Sequence, residues 1–376
     1  MPFDNGSVSY RLFYLRHAYE AADLVDRLAH NAAPPIDTLD KDPIRGWVTG
    51  KHLLDRQIEE EKCLYGPYLH VQLMKAEKKI PTSLLKTYLK IEEEVEKKAR
   101  DLVYLPRKVK SEIKERIVAQ LLPQMPPTLT GIQTLVDLSE RVVLASALSD
   151  SQIDAFNMGA RAIFGDPLHL LDPDNTALIR HHINPVDLNP VLFTPNPDIE
   201  PPHEATLGMD FLTWLWHDWE TGTNTFTLDG DPCGIMLEGP LTFYRDGEGA
   251  HEALLRNGTP LDSTEAAIAL WSGKKLKRAK ITLTRAETIV TATVDDTFAF
   301  RSLKLPKPEA DQTDPYGRFM ERIRAIETYW QVWYALYAKF LAQRTDPVQW
   351  SKTLKAIADW IQHRAQNAAD TSPRHP

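Results

Sequence analysis

Val8 to Leu15 (VSYRLFYL) is a run of β-branched and aromatic residues and predicts a strand. Ala18 to Ala32 then carries Ala22, Val25 and Leu28/Ala29 on one helical face, and Pro34-Pro35 stops it. Gly46-Trp47-Val48 and Tyr68 to Met74 read as further strands. A long helical pattern opens at Pro81-Thr82-Ser83. Leu85, Leu89, Glu92, Glu96 and Ala99 mark its period, with i,i+4 pairs Glu93–Lys97, Glu94–Lys98 and Glu96–Arg100. Pro106 breaks it, and a second helix from about Lys108 to Leu122 ends at Pro123. These two helices carry many charges and little apolar surface, which predicts a projecting hairpin arm over about 77–123. Leu135 to Leu138 and Arg141 to Ala147 read as short strands. Ser149 to Phe164 reads as a helix capped by Ser149 or Asp150, with Ile153, Phe156 and Ala160 inward.

The second half repeats this character without a detectable sequence repeat. Leu207 to Trp216 is expected to be a helix. Thr225 to Leu228, Cys233 to Leu237 and Leu241 to Tyr244 are expected as strands, His251 to Asn257 and Ser263 to Ser272 as helices. Ala279 to Thr284, Thr288 to Val294 and Phe298 to Leu305 predict a three-strand meander. Phe319, Ile323, Ile326, Trp330, Trp333, Tyr337 and Phe340 then fall at alternating steps of four and three, a heptad seam on one long helix. Such a stripe must be buried, either on its own domain or at a subunit interface. A shorter helix, Val348 to Arg364, follows. The fold class expected is α+β: two α+β halves with mostly antiparallel sheets, a charged hairpin and C-terminal helices. The domains expected are 1–171, a Pro-rich linker at 172–204, a second α+β domain at 205–310, a helical segment at 311–366 and a disordered tail at 367–376.

Composition narrows the class of protein. With 376 residues, 43% hydrophobic and 26% charged, the chain is globular rather than fibrous or disordered. Ile132 to Leu148, its most apolar stretch, is interrupted by Asp137, Glu140 and Arg141, so no membrane span is expected. The start lacks a basic region followed by an apolar core, so no secretion signal is expected. Cys63 and Cys233 stand far apart and offer neither a disulfide framework nor a metal knuckle, which points to a reducing cytoplasm.

The charge is unevenly distributed. The net charge is −8, but Lys75 to Arg116 holds thirteen basic residues against eight acidic ones. Trp271 to Arg285 holds six basic residues and no acid, whereas Glu200 to Pro260 holds eleven acids against Arg245 and Arg256. Two basic tracts in an acidic chain suit a polyanion on one face and solubility elsewhere.

Motifs for catalysis are weak. Ser272-Gly273-Lys274-Lys275 lacks the first glycine of a phosphate loop, and Lys275 stands where magnesium would need a hydroxyl. The adjacent His181 and His182 point apart. Asp172/Asp174, Asp229/Asp231 and Asp295/Asp296 are turn-like pairs, the usual use of Asp between elements. A metal-dependent nuclease would draw on Asp229, Asp231, Glu248, His251 and Glu252. The basic runs are the stronger signal. Alternation puts Arg278 and Lys280 on one strand face and Ala279 and Ile281 on the other. Arg301 and Lys304 lie on a later strand, and a cationic face with an apolar reverse suits backbone phosphates.

The order of segments resembles the RdgC family of bacterial recombination-associated proteins. The resemblance rests on Tyr10-Arg11-Leu12, Gly46-Trp47-Val48, Ala76 to Ser83 (AEKKIPTS) and Leu121-Leu122-Pro123. In the second half it rests on Phe211 to Trp216 (FLTWLW), Gly273-Lys274 with Arg278, and Phe300 to Leu305 (FRSLKL). The chain departs from the family at Gln124, Met125 and Pro126, where relatives place a basic residue and then an aromatic one. The resemblance implies a ring-shaped homodimer whose basic hole encloses double-stranded DNA without strong sequence preference. It also implies antagonism of a RecA-type recombinase and a cytoplasmic, nucleoid-associated location. An exonuclease role suggested for the family finds no supporting motif, and no catalytic residue, metal or cofactor is expected. The phosphate contacts expected are Lys78, Lys79, Lys86, Lys90, Lys97, Lys98, Arg107, Lys108 and Lys110 on the arm. On the sheet they are Lys274, Lys275, Lys277, Arg278, Lys280, Arg301 and Lys304. A protein-interaction scaffold built on the aromatic C-terminal helix is the remaining alternative.

Overall fold

A computed structural model describes residues 3–247, 249, 251–310 and 314–371. In chain order the elements begin with β1 (Val8–Tyr14), α1 (Ala21–His30), β2 (Ile44–Thr49), α2 (Glu60–Cys63), β3 (Leu64–Tyr65) and β4 (Tyr68–Lys78). The helices α3 (Thr82–Ala99) and α4 (Arg107–Leu121) follow, then β5 (Pro127–Asp137), β6 (Val142–Ala145), α5 (Asp150–Phe164), β7 (His169–Leu170) and α6 (Pro173–His181). The rest comprises α7 (Leu207–Thr221), β8 (Thr225–Leu228), β9 (Asp231–Tyr244), β10 (Glu252–Leu255), α8 (Thr264–Trp271), β11 (Lys275–Arg285), β12 (Thr288–Asp295), β13 (Phe300–Lys304), α9 (Pro315–Thr345) and α10 (Pro347–Thr371). The fold is α+β with antiparallel strand pairing, as the pattern predicts. Among the described residues no helix is long and apolar enough to cross a membrane.

The chain forms two compact units that do not follow the expected boundaries. One unit takes in residues 1–16, 142–150 and 168–376; the other takes in 17–141 and 151–167. The reason is strand pairing: β1 lies between β13 and β6, which ties the start of the chain to the later half. The expected linker at 172–204 is also ordered in part. Asp172 caps α6 by accepting from the Asn175 N–H at 2.8 Å, and Thr176, Ala177, Val191, Phe193 and Thr194 are buried.

In the larger unit the strand order is β10-β9-β11-β12-β13-β1-β6, with β8 on β9 and β7 on β1. Ala279, Ile281 and Leu283 of β11 and Val290, Ala292 and Val294 of β12 are buried on one face. Helices α7 and α9 pack against these strands. Leu207 to Trp216 is buried all round, so α7 is a core helix rather than an amphipathic one. The seven heptad positions of α9, Phe319 to Phe340, are all buried within the chain. The stripe is therefore core, and the scaffold alternative loses the surface it needed. Phe211 of α7 sits at the centre, with ring centroids 5.1 Å from Trp333, 5.0 Å from Tyr337 and 5.5 Å from Phe340. The Tyr329 hydroxyl donates to the Ile281 carbonyl and the Tyr337 hydroxyl to that of Pro173, so the polar ends of these two buried tyrosines are satisfied.

The smaller unit has the order β2-β4-β5, with β3 on β4. Helix α1 turns Leu24, Val25 and Leu28 inward; Ala22 and Ala29 are exposed, so the face is rotated towards the larger side chains. Helices α3 and α4 share a core of their own. Leu105, Val109, Ile113, Ile117 and Leu121 are buried, and Ile80, Leu85 and Leu89 pack on them. Of the expected i,i+4 pairs, Arg100 reaches Glu96 at 2.6 Å, whereas Glu93 pairs with Lys110 and Glu92 with Arg116 across the two helices.

Two further expectations change. His251 to Asn257 is not a helix: Glu252–Leu255 is strand β10, held extended by antiparallel pairing with Leu241–Tyr244 of β9. Residues 367–371 of the expected tail belong to α10, which continues to Thr371; residues 372–376 lie outside the described residues. The ring cluster predicts a graded response to truncation. Phe211→Ala is expected to lower stability by about 3–5 kcal/mol, while the half-exposed Tyr316→Ala changes it by less than about 0.5 kcal/mol. Urea denaturation midpoints check both.

Candidate nucleic-acid interface

The candidate interface starts from the alternation of β11 to β13. With one sheet face buried under α7 and α9, alternate residues project from the other. Arg278 lies opposite Asp295, Lys280 opposite Thr293 and Thr282 opposite Thr291. On β13, Arg301 lies opposite Thr293 and Lys304 opposite Thr291. Three residues apart on a regular strand, Arg301 and Lys304 would face opposite ways. A register shift and Ser302 at φ 53° insert one residue between them, so both cations share the outer face. Arg278, Lys280, Arg301 and Lys304 thus stand in a field of threonines, two of which, Thr282 and Thr291, hydrogen-bond at 2.8 Å.

Two acids temper this face. Lys280 pairs with Glu238 of β9 at 2.6 Å. Asp295 is buried and accepts from the Ala299 N–H, the Thr297 hydroxyl and the Arg301 guanidinium. Arg278 lies 3.8 Å from the same carboxylate. Asp295 fixes these two arginines more than it neutralises them, since one carboxylate faces two guanidiniums. Arg11 joins from β1, donating to the Thr297 hydroxyl at 2.9 Å. Sequence reasoning missed Asp295 and Thr297 as organisers; a buried acid next to a turn was read as turn chemistry alone.

Lys275 has a different place from the one expected. It is buried, donates to Asp210 at 2.5 Å and to the Thr206 hydroxyl at 2.9 Å, and so faces α7. Lys275 has the same parity on β11 as Ala279, Ile281 and Leu283 of the buried face, so alternation itself turns it inward; the expectation rested on the basic run alone. Lys277 lies 4.3 Å from the Tyr244 ring centroid, a cation–π contact. Lys274 is half-buried.

The helix pair carries the second group. Lys86, Lys90 and Lys97 are spaced four and seven apart, on one flank of α3, and none has an ion-pair partner among the described residues. Lys98, Arg107 and Lys108 are exposed. Lys79 pairs with Glu77 and Lys110 with Glu93, and Lys78 donates to the Pro123 carbonyl at 3.3 Å.

Two of the carboxylates weighed for nuclease chemistry, Asp229 and Asp231, are engaged by an arginine. Arg285 donates to Asp231 at 2.8 Å and to Asp229 at 3.3 Å. Glu252 and His251 lie at the edge of β10, and Glu248 lies outside the described residues. Among the described residues no cluster of three or more His, Cys, Asp or Glu is arranged to hold a metal ion. Burial pushes the Cys63 thiol up to about 11, so it is not an activated nucleophile.

A cavity of about 390 Å³ is lined by Arg11, Asp172, Asp174, Thr206, Asp296 and Thr297 among others. Burial pushes Asp296 up to about 6, with Asp295 adding to it and Lys277 opposing it. Burial likewise raises Asp172 and Asp174. Four aspartates against one arginine, Arg11, make this hollow a poor place for an anion.

The raised Asp296 gives a signed pH effect. The folded chain holds this proton more tightly than the unfolded chain does. Its contribution to stability is fully present below pH about 4, declines as pH rises towards about 6 and is flat above. Asp296→Asn should therefore stabilise the protein at pH 7 relative to pH 4, by roughly 2 kcal/mol. Denaturation of both forms at the two pH values checks this; an equal difference at each pH would contradict it.

One comparison with known proteins bears on these residues. Residues 5–172 match the family model described as "Putative exonuclease, RdgC". No curated protein matches the chain. The matched segment contains β1, the whole helix pair and α5, while β8 to β13 and the two C-terminal helices lie beyond it. Over residues 5–172 the chain is therefore similar to the RdgC family.

Proposed function

We propose that the protein binds double-stranded DNA through the phosphate backbone, with little regard to sequence, in the service of recombination. The observation that carries the reading is the outer sheet face, where Arg278, Lys280, Arg301 and Lys304 project from strands whose reverse is closed by the core. Cations on a rigid sheet, interleaved with short hydroxyl side chains, match a regular row of phosphates and reach no base edge. Lys86, Lys90 and Lys97 of α3, without an ion-pair partner among the described residues, offer the same chemistry. On this reading the active species is a homodimer that closes as a ring around the duplex. It limits a RecA-type recombinase by occupying DNA, it works at the nucleoid, and it needs neither catalysis nor cofactor. The match of residues 5–172 to the RdgC family model supports a role associated with recombination. The word exonuclease in that family's description names the rival activity.

Fluorescence anisotropy against salt concentration tests the reading. Log affinity for a duplex of arbitrary sequence should fall linearly with log salt. Lys280→Ala and Lys304→Ala should each reduce that slope by about 0.9, equally for two unrelated sequences. Lys275→Ala should instead cost about 3–5 kcal/mol of folding stability, because it strands the buried Asp210. Absence of duplex binding at low salt would overturn the reading. Loss of end-labelled strands in magnesium or manganese would favour the exonuclease.

A further inference from the structure

We infer that the turn between α3 and α4 is a stacking site for unpaired nucleobases, resting on the DNA-binding reading above. The turn spans residues 100–106. Tyr104 is 83% exposed and Val103 77%, the two highest values among large apolar residues of the helix pair. Both stand beside Leu105, which is 6% exposed and anchored in the core shared by α3 and α4. The opposite side is fixed as well: Arg100 N–H donates to Glu96, Asp101 N–H to Lys98 and Leu102 N–H to Lys97, with Asp101 at φ 53°. An aromatic ring and an isopropyl group are thus held outward by a turn closed at both ends, and little ordering is left to lose on contact.

The surrounding charge selects the ligand. Lys98, Arg107 and Lys108 flank the turn, exposed and without an ion-pair partner among the described residues, and Arg100 shares a single carboxylate, Glu96. Asp101 is the one acid within the turn. An apolar patch ringed by cations fits a ligand with flat apolar faces on an anionic backbone, which is a nucleic-acid strand with bases out of the stack. An intact duplex hides those faces; a gap, a junction or a frayed end offers them. Aromatic stacking on a base is tolerant of sequence, so it adds preference for DNA structure without adding preference for sequence.

The test uses the full chain and two DNAs: an intact duplex, and the same duplex with a short single-stranded gap carrying 2-aminopurine. The wild-type protein should bind the gapped form more tightly and quench the 2-aminopurine. Tyr104→Ala should lower affinity for the gapped duplex by about five- to tenfold or more, abolish the quenching and change affinity for the intact duplex by less than about twofold. Tyr104→Phe should keep the quenching. Equal behaviour of Tyr104→Ala and wild type on the gapped duplex would overturn the inference. So would a change in oligomeric state of Tyr104→Ala by sedimentation, which would assign the turn to contact between chains. Binding of the intact duplex without any response to the gap would sink this inference alone; binding of neither DNA would sink the DNA-binding reading with it.

Discussion

Closure of one sheet face by aromatic rings is the constraint from which the rest follows. Phe211, Trp333, Tyr337 and Phe340 form a contiguous group beneath β11 to β13, and Phe298 and Phe300 join it from the sheet side. Once Ala279, Ile281 and Leu283 are committed to that core, pleating leaves Arg278 and Lys280 nowhere to go but outward. The cationic face is a consequence of how the core is packed. A register slip of one residue would bury arginine and lysine without partners, which stabilises the observed register against its neighbours.

Alternation and one departure from it place the cations. On β11 Lys275 shares the buried parity of Ala279 and Ile281 and pairs inward with Asp210, so one lysine of a five-cation run serves the fold. The left-handed Ser302 departs from alternation on β13 and brings Lys304 round to join Arg301. Asp295 then sets the angle of two arginines from within the sheet. Strand parity, one bulge and one buried carboxylate therefore decide which cations reach solvent.

Much of this was legible in the sequence, for definite reasons. The β11 alternation, the helix pair bounded by Pro81, Pro106 and Pro123, and the α9 stripe are strong periodic signals, and each corresponds to an element. What was not legible depends on distant partners. The β10 hairpin depends on pairing with β9, because EALLR has no helical or strand periodicity of its own. The chain's division into units depends on β1 meeting β13, a pairing between residues nearly three hundred positions apart. Segment 172–204 looks like a linker by proline content, yet Val191 and Phe193 find burial. Lys275 could not be told from Lys277, which has the same parity, without Asp210, which lies 65 positions away.

The central claim is that DNA phosphates meet the outer sheet face and the open flank of α3. Lysine-selective labelling read by mass spectrometry, with and without a saturating duplex, tests it most directly. The account predicts that Lys280, Lys304, Lys86, Lys90 and Lys97 lose reactivity when DNA is bound, that Lys275 is unreactive in both states, and that Lys352 and Lys355 on α10 are unchanged. Protection confined to α10, or unaltered reactivity of Lys280 and Lys304 in a complex shown to be saturated, would contradict it.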